Sequence, residues 1–173
     1  MRVVSLLPSA TEIVACVQGL PFLVGRSHEC NYPQAVEALP ALTAARTPFE
    51  NSRQMHEAVI QTLQAGDGLY SVDAKRLEQL KPDVIVTQSL CAVCSVDFNL
   101  VRRIAGSFKK PPMVVDLNPQ SLEEVLEGCT KVGAALSLEK EAKETVKQLK
   151  ERVSHMRELV QRSPLTPIPK VGF

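Results

Sequence analysis

The chain contains no tryptophan, and aromatic residues make up only 4% of its 173 positions. Recognition by stacking bases or sugars on aromatic faces is therefore a poor fit. Charge of one sign is also missing. Twenty Lys and Arg stand against nineteen Asp and Glu, for a formal net charge of +1. That leaves no electrostatic footprint for nucleic acid or for an anionic membrane surface. No apolar run approaches the roughly 20 residues that cross a bilayer, so membrane insertion is not expected. Glycine is scarce, with eight residues, and there is no Walker A loop, dinucleotide fingerprint or GxSxG elbow. No nucleophile–base set stands out, which argues against an enzyme. The opening residues, MRVVSLLPSATE, carry an apolar run too short for a secretory signal, interrupted by Pro8 and followed by Glu12. The expected compartment is the cytoplasm, where thiols stay reduced. Five cysteines then point to metal, redox or core roles rather than to a disulfide frame.

What is present is an ordinary globular composition, 45% hydrophobic and 23% charged, in a chain long enough for one domain with a real core. Short apolar runs alternate with helical periodicity. Residues 2–7, 23–25, 84–87 and 113–117 read as strands, and 38–43 as a further edge broken by Pro40. Ser9 with Glu12 reads as a capping box opening a helix that Gly19 and Pro21 stop. Further helices are expected from Asn51 or Ser52, with Met55, Val59 and Leu63 inward, from the Asp73 cap through Leu80, and over 98–105. Ser121 with Glu124 reads as a second capping box. Leu122, Val125, Leu126, Cys129, Val132, Gly133 and Leu136 follow at helical spacing. A long helix over 138–161 carries Ala142, Val146, Leu149, Val153 and Met156 as its apolar stripe. The fold class expected is α/β: a short, mainly parallel sheet flanked by helices in three layers, followed by a long C-terminal helix.

Candidate chemistry gathers in loops after strands. KPDVIVTQSLCAVC places Cys91 and Cys94 after the 84–87 strand, and LVGRSHECNYP places His28, Glu29, Cys30 and Tyr32 after the 23–25 strand. If the strands are parallel and share a sheet, both loops open on the edge where α/β proteins bind ligands. CxxC lets two sulfurs reach one ion, and Cys₃His is a common zinc set, so His28, Cys30, Cys91 and Cys94 are candidate metal ligands. The same CxxC between strand and helix also suits thiol–disulfide chemistry, and small cysteines also simply fill crowded loops. The helix start at Pro8, Ser9, Ala10 and Thr11 offers backbone N–H groups to a polar ligand. Glu29, Tyr32 and Gln88 are candidate polar contacts. Cys16 and Cys129 read as core, and His56 and His155 as solvated.

Four stretches, in order, carry a resemblance: SLLPSATEIV at 5–14, VGRSHECNYP at 24–33, LYSVD at 69–73 and KPDVIVTQSLCAVC at 81–94. Together they resemble the N-terminal lobe of the cobalamin-binding, periplasmic-binding-protein-like family, the vitamin B12 and iron-siderophore receptor superfamily. The resemblance implies two α/β lobes joined by one long helix, with ligand held between them, and a binder rather than a catalyst. It implies residues 1–136 as the ligand-binding lobe, 137–163 as the backbone helix, and 164–173 as a Pro-rich exit and the start of a missing second lobe, so that the chain reads as truncated. The implied ligand is a corrinoid (cobalamin) or another metal chelate, with His28 as an axial imidazole and Cys30, Cys91 and Cys94 as soft ligands. Self-association through the uncovered lobe face is a further expectation. The alternative is a cytosolic thiol–disulfide or zinc-binding module built on the CxxC loop.

Overall fold

A computed structural model describes residues 1–46, 51–65, 68–89 and 96–162. In chain order its elements are β1 (Val3–Ser5), α1 (Pro8–Cys16), β2 (Leu23–Gly25), β3 (Thr43–Ala45), α2 (Ser52–Ala65), β4 (Tyr70–Val72), α3 (Ala74–Gln79), β5 (Val84–Thr87), α4 (Phe98–Gly106), β6 (Met113–Asp116), α5 (Leu122–Ala135) and α6 (Glu139–Arg162). Single 3₁₀ turns occupy Leu20–Phe22 and Gln34–Ala38.

Val3, Val4, Ile85 and Val86 are fully buried. A strand covered on both faces reads as an unbroken apolar run, and β1 and β5 do so because they are the two central strands. The sheet runs β2-β1-β5-β6, all parallel. On one face Val14 of α1, Cys129 and Val132 of α5, and Ala142 of α6 pack against Val3, Val84 and Val86. On the other, Leu77 of α3 and Val101 and Ala105 of α4 pack against Val4 and Ile85. Burying each such aliphatic side chain stabilises the fold by about 1.5–3 kcal/mol. The three-layer α/β arrangement is the one the residue pattern implied.

The strand order places a switch between β1 and β5. The helix after β1 covers one face and the helix after β5 covers the other, so the connections at their C-terminal ends diverge and leave a crevice. Beside this edge lies a second, two-stranded antiparallel sheet of β3 and β4, with Thr43 opposite Val72 and Ala45 opposite Tyr70. The edge strand expected over 38–43 is displaced. Gln34–Ala38 is a 3₁₀ turn, and the extended residues begin at Thr43, with only an isolated bridge from Ala41 to Arg26.

Helix ends differ from expectation where proline intervenes. Ser9 does not cap α1. The helix starts two residues earlier, with Pro8 in its first turn and extended Leu7 as N-cap, and no side chain caps it. Proline suits that position because its missing N–H would have been unpaired there. Asp73 does cap α3, accepting from the Arg76 N–H at 2.9 Å. Ser121 caps α5 through the Glu124 N–H at 3.2 Å, while the Glu124 carboxylate reaches back to the Gln120 N–H at 2.7 Å rather than to Ser121. Met55, expected inward, is exposed on α2.

Helix α6 has 24 residues, about 36 Å at ~1.5 Å per residue. Ala142 is buried, and Val146 and Leu149 pack on the first core. Beyond them Met156 and Val160 are 57% and 61% exposed. The Pro-rich exit, the strand expected at 170–173, and the CxxC loop with Cys91 and Cys94 lie outside the described residues.

Candidate functional site

The connections leaving β1, β2 and β5 meet at the switch edge around a cavity of ≈ 290 Å³. Leu6, Leu7, Pro8 and Ser9 line it from β1, Ser27, His28 and Glu29 from β2, and Gln88 and Val96 from the β5 side. Thr43 and Tyr70 complete it from the small antiparallel sheet.

His28 is held on several sides. Its backbone N–H donates to Thr43 Oγ1 at 3.0 Å, and its ring Nδ1 lies 2.7 Å from the same oxygen. The Thr43 hydroxyl lies within hydrogen-bond distance of Ser27 Oγ at 3.1 Å, and Ser27 Oγ accepts from the Glu29 N–H at 3.3 Å. The Tyr70 ring is 5.5 Å from the imidazole, tilted by 48°. Arg26 ties the loop together from behind. Its guanidinium donates to the carbonyls of Ser27 at 3.0 Å, His28 at 3.3 Å and Glu37 at 3.1 Å.

A second polar group lies beneath the cavity floor. The Thr11 hydroxyl stands 2.8 Å from Ser5 Oγ, 3.1 Å from Cys30 Sγ and 3.3 Å from the Leu7 carbonyl. Cys30 is 1% exposed, and its N–H closes a turn onto the Ser27 carbonyl at 3.2 Å. That turn sends His28 outward and Cys30 into the core. Burial pushes the Cys30 thiol above its ordinary range, with the Thr11 hydroxyl opposing, so the neutral thiol is favoured over a ligating thiolate. Among the described residues no three of His, Cys, Asp and Glu gather closely enough to hold a metal ion.

Of the residues singled out from the sequence, Pro8, Ser9, His28, Glu29 and Gln88 line one cavity. Ala10, Thr11 and Cys30 are buried behind it, and Tyr32 is 65% exposed outside it. Cys91 and Cys94 lie outside the described residues. Ser27, Thr43 and Tyr70 were missed. Thr43 and Tyr70 enter only through the β3–β4 pairing, and strands of three residues leave too little periodicity to read.

A family model described as periplasmic binding protein matches residues 3–172, and the chain belongs to that family. A comparison with curated protein sequences gives no match. Among solved structures, the periplasmic vitamin B12 binding protein of Vibrio cholerae aligns with TM-score 0.65 and 19% identity, over 92% of this chain and 51% of that one. A periplasmic heme binding protein from Pseudomonas aeruginosa aligns with TM-score 0.67 and 19% identity, over 94% and 49%. A possible iron-binding, periplasmic solute-binding protein from Staphylococcus epidermidis aligns with TM-score 0.64 and 22% identity, over 99% and 52%. The chain spans about half the length of these structures, and the likeness shows the shared fold.

The expectation of a cytoplasmic protein is overturned, because the family and these neighbours are periplasmic binding proteins. Its premise was the look of the first residues. Val3–Ser5 is a buried central strand, as its apolar run implied, and a fold carries no mark of its compartment. The supposition that the thiols sit in a reducing environment falls with it.

Proposed function

We propose that this chain is a ligand-binding lobe whose ligand is a metal tetrapyrrole, a corrinoid or a heme, or another metal chelate, and that it binds without catalysing a reaction. The observation that carries this reading is the outward imidazole of His28 in the crevice at the β1/β5 switch, with Nδ1 occupied by Thr43. An imidazole held by one nitrogen offers the other to a metal. The lining of Leu6, Leu7, Pro8 and Val96 suits an apolar macrocycle, and Ser9, Glu29 and Gln88 suit its polar substituents. The names of the neighbouring structures, for vitamin B12, heme and iron, support the ligand class.

The division of the chain is part of the proposal. Residues 1–136 form the lobe and 137–163 the helix that leads away from it. A second lobe, for which the half-length overlap with the solved neighbours leaves room, closes the ligand from the other side. A cavity of ≈ 290 Å³ stands at the low end of ligand pockets, roughly 300–1,000 Å³, so this lobe alone contacts part of the ligand.

The test is an absorbance titration of the protein with hemin and with aquacobalamin, beside His28→Ala. The expected outcome is binding with a nitrogen-ligated spectrum, and a loss of about tenfold or more, ~1.4 kcal/mol, in the variant. Binding of neither probe, or equal binding and equal spectra for both proteins, overturns the reading.

A further inference from the structure

We propose that Thr43 is a positioning residue for this site: its hydroxyl keeps the neutral His28 ring protonated at Nδ1, so that Nε2 presents a lone pair to the cavity. This rests on the reading of His28 as the ligating residue.

A hydroxyl has one proton and two lone pairs. Thr43 Oγ1 has three close polar neighbours: the His28 backbone nitrogen at 3.0 Å, His28 Nδ1 at 2.7 Å and Ser27 Oγ at 3.1 Å. The backbone N–H can only donate, so it takes one lone pair. In one arrangement the Thr43 proton points to Ser27 Oγ, 3.1 Å away. One lone pair remains, and only a proton on Nδ1 can fill it. The reversed chain, Ser27 to Thr43 to Nδ1, would leave the proton on Nε2 and block it as a ligand.

The surroundings hold the three groups in place, and the first direction is the one that leaves Nε2 free to ligate. Thr43 and Ser27 are 6% and 3% exposed, so water does not compete for the hydroxyls. Thr43 is pinned by the β3–β4 ladder opposite Val72, and Tyr70 limits rotation of the ring from its other side. A side chain on a paired strand holds its partner more precisely than one on a loop. Groups that orient a ligating histidine through its second nitrogen typically change metal affinity by about 10–100-fold when removed.

The test reads the tautomer directly, by ¹⁵N NMR of the imidazole at about pH 9, above the ordinary imidazole range. In the unmodified protein the His28 proton is expected on Nδ1, and a proton on Nε2 overturns the proposal. Thr43→Ser keeps the Nδ1 tautomer, and Thr43→Val loses it. Ser27→Ala leaves the hydroxyl of Thr43 in place but removes the acceptor of its proton. That proton then turns to Nδ1, and the imidazole proton moves to Nε2. An unchanged tautomer in Ser27→Ala also overturns the proposal, and this variant serves should Thr43→Val fail to fold. Hemin titration adds the functional readout. Thr43→Val is expected to lose about 10–100-fold in affinity and to weaken the imidazole-ligated spectrum, with Thr43→Ser close to the parent. Absence of hemin binding by the parent counts against the ligand assignment and not against the tautomer. Full hemin affinity in Thr43→Val, with His28→Ala impaired, counts against Thr43 alone.

Discussion

Two surfaces of this lobe offer themselves to a partner, and they are built in opposite ways. The crevice at the sheet edge is small, ≈ 290 Å³, and gathers Ser9, Ser27, His28, Glu29, Thr43 and Gln88 from separate elements. The groove between α5 and the far half of α6 measures ≈ 700 Å³ and is lined mostly by Leu122, Val125, Leu126, Leu149, Val153, Met156 and Val160, with Arg152, Arg157 and Gln161 at its polar positions. Size favours the groove, and convergence of polar groups favours the crevice. Two helices laid side by side satisfy their own backbone and project side chains only. Parallel strand ends stop together and release several connections toward one point, and this is why polar side chains from separate elements converge at the sheet edge. The groove has the character of a packing surface.

The sharpest way to break this contrast is to disturb the seam between α5 and α6, beyond the groove, and watch the crevice. Gly133 of α5 lies against α6, where an added Cβ would collide with the Cβ of Ala142 and approach the Leu138 carbonyl oxygen to 3.1 Å. Gly133→Val is expected to destabilise the fold by about 1–3 kcal/mol through overpacking, read as a lowered melting temperature by circular dichroism. The tautomer of His28 should stay as it was. If it changes, the two surfaces are not independent.

A milder pair of substitutions maps how far α6 belongs to the core. Leu149 packs on the first core, whereas Met156 is 57% exposed. Leu149→Ala should cost about 1–2 kcal/mol by urea unfolding and Met156→Ala less than about 0.5 kcal/mol. Equal losses would mean that the far half of the helix is as firmly packed as the near half.

The smallest effect lies under each surface in turn. Cys30 lies behind the crevice and Cys129 on α5, and burial raises both thiols above the ordinary value. For Cys129 the nearby Cys16 raises it further. Both thiols stay neutral in the folded state where the unfolded chain begins to ionise. The stability they contribute is whole below the ordinary thiol range and is lost as pH rises through the folded values. Unfolding midpoints should fall on the alkaline side. Cys30→Ala should flatten that fall in part, and an identical alkaline slope would refute the burial argument.

How much of this was legible depends on what the residues had to advertise. β2 and β5 fall where their apolar runs placed them, and the edge that holds the site follows from reading the strands as parallel. His28, which lines the crevice, was singled out because imidazole in a loop after a strand is conspicuous. Thr43 and Ser27 were not, because a hydroxyl that positions a histidine looks like any other hydroxyl until two strands of three residues bring it across. Cys30 illustrates the opposite error. Residue type suggested a partner for His28, and one turn of backbone put the two on opposite sides of a wall. Ser9 had the spacing of a cap, but Pro8, fixed in φ, had already begun the helix.

Arg26 carries a consequence of its own. Among the described residues its guanidinium donates to the backbone carbonyls of Ser27, His28 and Glu37, so one side chain ties the loop after β2 to the turn at 34–38. The loop that carries His28 is therefore held in place by a planar fork with fixed donor directions, rather than left to order itself on contact.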